Sequence, residues 1–422
     1  MKSFLRTIVA SSLQVFARIV IAKYKPIIVM VTGSVGKTST KDAVAAALGS
    51  HYYLRASEKS YNSEFGVPLT ILGAKNPWEN ASAWIRVFQE ALALILLPNH
   101  YPRLLVLEVG ADRPGDLAKI LRIAAPDAVV VTKLPDVPVH VEAYASPQAV
   151  RDEEFRPAYA LGAGCPLIIS SDDEHAVKMA ERLNANVVTV GYAAHSGVRI
   201  DTPIYTDAGM EATGHSCGNT YTLRAAHALG TAQLYAPAMA LALATTLHMT
   251  AEQALEGLTA YVPPPGRARV LKGVRGSLLI DDSYNSSPSA VVEALRGLSL
   301  VPGNRRIAVL GDMLELGRYS VEEHQKIGRL VREHADMLVT VGSRSQASQQ
   351  AAQEAGMETD CVQGFATAVE AAHALREIVQ EGDVVLIKGS QGMRMERVVE
   401  QLLMDPRDAR LLVRQDKEWK RR

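Results

Sequence analysis

Cysteine is nearly absent: Cys165, Cys217 and Cys361 lie far apart and form no CxxC pair. Their scarcity excludes a disulfide framework and a cysteine-rich metal site, and it points to a reducing, cytoplasmic compartment. Net charge is absent as well, because 45 basic and 45 acidic side chains cancel. No global field draws the chain to nucleic acid, so none is expected as a partner. Long apolar runs are also missing. The stretch IVASSLQVFARIVIA at 8–22 is interrupted by Arg18, is short for a membrane span and has no convincing small-residue cleavage site. Neither an internal repeat nor a low-complexity tract is evident.

Charge is distributed less evenly than its sum. The first 30 residues carry Lys2, Arg6, Arg18, Lys23 and Lys25 and no acid. As a helix, residues 1–26 form a basic, apolar segment, and three placements stay open for it: packed on the next domain, lying on a lipid surface, or, least favoured, spanning the membrane. At 422 residues the chain is too long for one ordinary core, so two or three domains are expected.

Residues 27–32 form a β-branched run that stops at Gly33, and the helix-forming TSTKDAVAAALG follows. LLVLEVG at 104–110, DAVVVT at 127–132, PLIIS at 166–170 and VVTVGY at 187–192 are short, continuous apolar runs of the kind parallel strands make when both faces are buried. The strand and helix alternation predicts a doubly wound α/β domain of P-loop type. Residues 193–229 alternate in short stretches and predict a small antiparallel excursion. VPPPGRAR at 262–269 marks a boundary. Beyond it, SLLIDDSY, RRIAVLGD, DMLVTVG and DVVLIKGS predict a second, smaller, Rossmann-like α/β domain. The division expected is thus an N-terminal helix (1–26), a central domain (27–262) and a C-terminal domain (263–422).

The turn TGSVGKTST at 32–40 has the parts of a phosphate-binding loop. Backbone N–H groups must point inward, glycines let the chain curl without Cβ clashes, and a helix N-terminus stands behind them. Gly33, Ser34 and Gly36 supply the curl, Lys37 reaches terminal phosphate oxygens, and Thr38 or Ser39 offers a hydroxyl to Mg²⁺. The strict P-loop pattern is not met, because Val31 stands at its first glycine. ATP with Mg²⁺ is the expected ligand. Glu108 ends a buried strand at the sheet edge where α/β folds expose their ligands, the right place for a metal-binding carboxylate.

This loop resembles the ATP-binding loop of the Mur ligase superfamily, the ATP-dependent amide-forming enzymes of cell-wall precursor synthesis and their folate- and cyanophycin-linked relatives. The resemblance continues in order through EKSYNSEFGVPLTIL (58–72), LVLEVGADRPGDL (105–117), VHVEAYASPQAV (139–150), PPGRARVLKG (264–273), LLIDDSYNSSPSAVVEAL (278–295), AVLGDMLELG (308–317) and VLIKGSQGMRMERVV (385–399). It is strongest to the branch that adds D-alanyl-D-alanine to a muramoyl peptide. The resemblance implies a carboxylate–amine ligase working through an acyl phosphate. Carboxylate activation brings two anions together, so cations must screen them. It further implies that Glu108 and His140 hold Mg²⁺ with Thr38, that Asn62 and Ser63 lie near substrate and phosphate, and that Arg267, Asp282, Tyr284 and Asn285 face the nucleotide. Lys388 and Ser390 are placed on the side of the incoming amine.

Several positions depart from the family pattern. Many members carry a carbamylated lysine eight residues after the serine matching Ser146, and Glu154 stands there instead. A glutamate supplies the same hard anionic oxygens without carbon dioxide, so the metal site is either preserved or repurposed, with Asp152 or Glu153 as the alternative ligand. Ser170 replaces the asparagine before the ADD-like stretch, GTAQ at 230–233 replaces a Gly-x-His-Asn turn, and TKLP at 132–135 replaces TNIG. Only about 26 residues precede the loop, too few for the usual UDP-gripping domain. The expected acceptor is therefore a small-molecule or lipid-linked muramoyl peptide, the latter reached at the inner face of the membrane through residues 1–25. Three alternatives remain: the same ligase chemistry on another amino-acid or peptide substrate, a noncatalytic nucleotide-binding partner in cell-wall synthesis, and a P-loop phosphotransferase or transport ATPase, which leaves the DDSYN and KGSQGMRM segments unexplained.

Overall fold

The computed structural model describes residues 2–58, 62–77, 80–416 and 419. Residues 59–61 of the EKSYN stretch lie outside the described residues. Helix α1, Lys2–Tyr24, leads into strand β1, Ile27–Thr32, whose middle and end are buried on both faces as its β-branched run requires. Helix α2, Lys37–Gly49, begins directly after the glycine turn. Strand β2 is Leu54–Ala56, helices α3 and α4 are Gly66–Leu72 and Ala81–Leu96, and strands β3 to β6 are Leu104–Glu108, Ala128–Val131, Pro166–Ser170 and Asn186–Gly191.

Strands β1 to β6 pair in parallel in the order β6-β5-β4-β1-β3-β2, with β1 at the centre. This is the doubly wound sheet expected from the apolar runs. The excursion also forms: β7 (Val198–Ile200), β8 (Ile204–Thr206), β9 (Gly209–Ser216) and β10 (Asn219–Ala226) extend the same sheet, with the pairs around β9 antiparallel. Both faces are covered. On one lies α2 with the alanine- and leucine-rich helix Tyr235–Thr246, nearly all of it buried. On the other lie α1, α3 and α4, where Leu13, Ala17 and Val20 of α1 are fully buried beside Ile28 and Met30 of β1. Burying one such Leu or Val contributes about 1.5–3 kcal/mol, so α1 is an integral layer of this domain.

The second sheet has the order β11-β12-β16-β13-β14-β15: Arg269–Lys272, Leu278–Asp282, Asp383–Lys388, Arg305–Gly311, Met337–Val341 and Val362–Phe365. Only the β11–β12 pair is antiparallel. The two sheets meet through close backbone approach. A Cβ on Gly297 would come 3.1 Å from Gly230 Cα, and one on Gly317 would come 2.9 Å from Glu142 Cβ. Lys133 reaches across to Glu293 at 3.7 Å.

Candidate active site

The C-terminal ends of β1, β4 and β5 face the loop after β12, and a cavity of about 410 Å³ lies between them. At the end of β1, Gly33 adopts φ +115° and Gly36 adopts φ +88°. The first glycine has no alternative: a Cβ there would overlap Thr132 Oγ1. Ser34 N–H donates to Lys133 O at 2.8 Å, and Gly36 stands as the N-cap of α2, so the helix N-terminus opens on the cavity. Lys37 Nζ curls back to donate to Gly33 O. Ser34, Gly36 and Ser39 line the cavity.

Beneath the loop sit two buried carboxylates. Glu108, at the end of β3, accepts from Thr38 Oγ1 at 3.2 Å through one oxygen, while its Oε2 is buried with no hydrogen-bond partner among the described residues. Burial pushes its carboxyl above the usual carboxylate range, against the opposing pull of Lys37, Lys41 and Arg267. Glu154 closes the helix Pro147–Glu154, which Ser146 caps through Ala149 N–H. Its Oε2 accepts from Ser34 Oγ, its Oε1 lies 3.9 Å from Lys37 Nζ, and its backbone O accepts from Thr32 Oγ1 at 2.6 Å. Burial raises its carboxyl too, with Lys37 opposing. The other two acids of the RDEE stretch point elsewhere: Glu153 accepts from Leu117 N–H and pairs with Arg156, and Asp152 accepts from Gln148. An orphaned carboxylate oxygen beside a threonine hydroxyl, and a second carboxylate held against the loop lysine, fit a hard divalent cation. Of the residues expected to hold it, Thr38 and Glu108 meet each other, and Glu154 meets Ser34 and Lys37.

His140 follows β4 in a left-handed conformation, φ 63°. Its imidazole turns to the C-terminal domain, with Nδ1 3.0 Å from Glu315 Oε2 and Nε2 3.5 Å from Asp112 Oδ1. Burial lowers its affinity for the proton, and the bond and charge of Glu315 outweigh this and raise it, while Glu315 is lowered in return. Among the described residues, no group of three or more His, Cys, Asp or Glu stands close enough to hold a metal by itself. Asn62 lies over Gly110, where a Cβ would come 3.1 Å from its Nδ2 and 3.4 Å from Lys37 Cε. It thus reaches Lys37 at the glycine turn. Ser63 accepts from Gly66 N–H at 3.4 Å at the start of α3.

The opposite wall belongs to the DDSYN loop. Asp282 at the end of β12 accepts from Ala268 N–H at 3.1 Å and pairs with the buried Lys388 Nζ at 2.7 Å. Lys388 Nζ also donates to Asn285 O at 2.9 Å, so its ammonium is committed to the loop. Ser390 Oγ accepts from Leu314 N–H at 2.9 Å and holds the DMLEL turn. The Arg267 guanidinium lies 4.0 Å from the Tyr284 ring centroid and lines the cavity with Asp282 and Asn285.

Sequence reasoning missed the far end of the cavity. Asp172, just beyond β5, accepts from Tyr192 N–H at 2.7 Å and from the Tyr235 hydroxyl, and the two tyrosine rings meet edge to face at 5.5 Å. Asp172 and Tyr192 each follow the end of a parallel strand, the one signal that marks them. Tyr235 carried none, lying in an alanine-rich helix.

Comparisons with known proteins agree with this geometry. The Mur ligase middle domain family matches residues 31–244, and the Mur ligase glutamate ligase domain family matches residues 266–391. The UDP-N-acetylmuramoyl-tripeptide–D-alanyl-D-alanine ligase of Bacillus subtilis is 25% identical over 398 residues, covering 94% of this chain and 80% of that protein. Its counterpart in Mycobacterium leprae is 29% identical over 411 residues, with 90% and 74% covered. The MurF ligase of Thermotoga maritima, solved in complex with ADP, superposes with a TM-score of 0.77 at 25% identity, covering 93% of this chain and 83% of that one.

Proposed function

We propose that this chain, which belongs to the Mur ligase family, is an ATP-dependent ligase that adds D-alanyl-D-alanine to a muramoyl-peptide cell-wall precursor. The observation that carries the reading is a cavity walled by the glycine turn of one domain and the DDSYN loop of the other. ATP transfers its terminal phosphoryl group to the acceptor carboxylate, releasing ADP. The amine of the dipeptide attacks the acyl carbon, loses a proton, and the tetrahedral intermediate expels phosphate as the amide forms.

The chain's own residues divide this work. The inward N–H groups of residues 33–37 and the Lys37 ammonium bind and screen the phosphates. Arg267 reaches the nucleotide from the hinge, braced on Tyr284. Asn62 orients the transferred group beside Lys37. Lys388 and Ser390 act toward the amine's side through the loops they hold. Magnesium, held by Thr38, Glu108 and Glu154, would neutralise developing charge on the phosphoryl oxygens. His140, bridged to Glu315, ties the two domains together next to that site.

A finer reading places the protein at the inner face of the membrane, working on a lipid-linked acceptor. Helices α1 and α4 touch through Phe16 and Phe88 at 5.8 Å, and Lys23 Nζ donates to Leu94 O, Ile95 O and Leu97 O at the end of α4. Each helix exposes an apolar stripe at the same spacing, Ile8, Val15 and Ile19 on α1 and Ile85, Leu92 and Leu96 on α4. Arg18, Lys25 and Arg86 are exposed alongside. Apolar stripes with basic neighbours suit an anionic leaflet. No helix among the described residues is long and apolar enough to cross a membrane.

The deciding experiment measures phosphate release from ATP and Mg²⁺ with D-alanyl-D-alanine and either a UDP-linked or a lipid-linked muramoyl tripeptide, with product mass read in parallel. A mass gain of one dipeptide that disappears in K37A and E108A establishes the ligase. ATP binding without turnover on either acceptor refutes the substrate. Co-sedimentation with anionic vesicles, lost in an L92E/L96E variant, tests the membrane reading, and equal recovery of the two proteins overturns it.

A further inference from the structure

The match to the glutamate ligase domain ends at residue 391, and the chain that follows returns to the nucleotide-facing wall. After the helix Glu396–Leu402, Leu403 bridges to Gly273, and Met404 N–H donates to Lys272 O at 3.0 Å. A short 3₁₀ segment, Pro406–Leu411, then carries the backbone to Leu412 and Val413, both buried. Val413 lies against Gly266 at the hinge, where a Cβ would come 2.9 Å from its Cγ1 and 3.0 Å from Tyr284 N. Gly266, at φ +68°, accepts from Tyr284 N–H at 3.1 Å.

The next residue, Arg414, is in the left-handed region at φ 59°, a conformation non-glycine residues adopt only when their surroundings impose it. Its guanidinium is almost wholly buried. Nη1 donates to Ser283 O at 3.1 Å and pairs with Glu396 Oε2 at 2.9 Å, while Nη2 donates to Tyr284 O. Glu396 pairs through its other oxygen with Arg394 at 2.6 Å. The Tyr284 ring centroid lies 5.6 Å from the Arg414 guanidinium and 4.0 Å from that of Arg267. Three successive carbonyls of the DDSYN loop therefore end on cations, Ser283 and Tyr284 on Arg414 and Asn285 on Lys388. The cavity is lined by the residues that follow, Asn285, Ser286 and Ser287, and by Arg267.

We propose that Arg414 is a positioning residue for nucleotide binding. Its fork fixes the back of the DDSYN loop so that Tyr284 holds Arg267, and Asn285 to Ser287 hold the cavity wall, in the geometry the nucleotide requires. The chemistry selects arginine. Two carbonyls and one carboxylate are met by separate N–H groups in one plane, which a lysine ammonium on a flexible stem cannot reproduce. A buried guanidinium also stays charged and is costly to strand, so the tail docks only when all three acceptors are in place.

The proposal rests on the cavity being the nucleotide site, and the test separates the two. ADP is titrated by calorimetry into the full chain as wild type, R414A and R414K, with ligase kinetics and melting temperature measured on the same samples. R414A is expected to weaken ADP binding and raise KM for ATP by about tenfold, with kcat changed less than about twofold. R414K falls between R414A and wild type. Guanidinium at about 50 mM, far below denaturing concentrations, restores most of the R414A affinity and leaves wild type unchanged. A purely structural arginine would lower the melting temperature without this KM-specific, guanidinium-rescued loss. Should R414A not fold, R414K carries the test with a loss of about threefold. ADP affinity within about twofold of wild type in a folded variant, or a loss that guanidinium does not restore, overturns the role of Arg414. A wild-type chain that binds no ADP defeats the reading of the cavity and the proposal with it.

Discussion

Asp281 offers the sharpest physical test of the second domain. It sits one residue before the ion-paired Asp282 and is fully buried, with Oδ1 accepting from Ser283 N–H at 3.2 Å and from Ser283 Oγ. Its Oδ2 is buried without a hydrogen-bond partner among the described residues. Burial pushes its carboxyl up to about 6, the Ser283 donors pull the other way, and the nearby charges of Asp282 and Glu396 add to the rise. A folded-state value above the unfolded one means that protonation favours the fold. The contribution is fully present below the ordinary carboxylate value near 3.8 and is lost as pH rises through about 6. The full span is about 3 kcal/mol, of which about 1.4 kcal/mol falls between pH 5 and pH 8. The D281N substitution keeps an acceptor for Ser283 and removes the group that ionises. The melting temperature of D281N relative to wild type should therefore rise by about 1–2 °C from pH 5 to pH 8, the size expected for a chain of 422 residues. Differential scanning calorimetry across that range reads the slope directly, whatever constant offset the substitution adds. A difference that stays flat, or that shrinks with pH, refutes a buried carboxyl held neutral beneath the DDSYN loop.

Three further outcomes follow from the same geometry. G33A places a Cβ onto Thr132 Oγ1 at a backbone angle alanine resists, so ADP affinity measured by calorimetry should fall by more than about tenfold. E154Q keeps the shape against Ser34 but removes the charge facing Lys37, and Mg²⁺-dependent turnover should fall by at least about 100-fold at unchanged melting temperature; turnover within about threefold of wild type would remove Glu154 from the cation site. K23A strips an ammonium from three carbonyls at the C-terminal end of α4, partly in solvent, and should lower stability by about 1–2 kcal/mol in urea titrations while leaving kcat untouched.

Much of the fold was legible in the sequence because local physics wrote it there. β-Branched runs with no polar interruption had to become doubly buried parallel strands, and β1, β3, β4 and β5 lie where those runs lie. The glycine turn before α2 was legible for the same reason, since glycines at 33 and 36 between a strand and a helix leave few other conformations. The partners of the site residues were not legible. Lys388 lines the cavity, but its bonds to Asp282 and Asn285 O, like the bond of Ser390 to Leu314 N–H, join residues far apart in the chain. His140 read as a metal ligand, and its nearest acid is Glu315 of the other domain.

What the sequence determined by itself was the set of elements, the glycine turn before α2 and the order of two α/β domains, because each depends on residues within a few positions of one another. Tertiary structure alone decided which distant groups meet. Asp172 meets Tyr235, Glu154 meets Ser34 and Lys37, and Arg414 meets Ser283 and Tyr284 only after two sheets have formed and docked. Hydrogen bonds and ion pairs act over a few ångströms, and no local pattern records which distant residue the folded chain will bring within that reach.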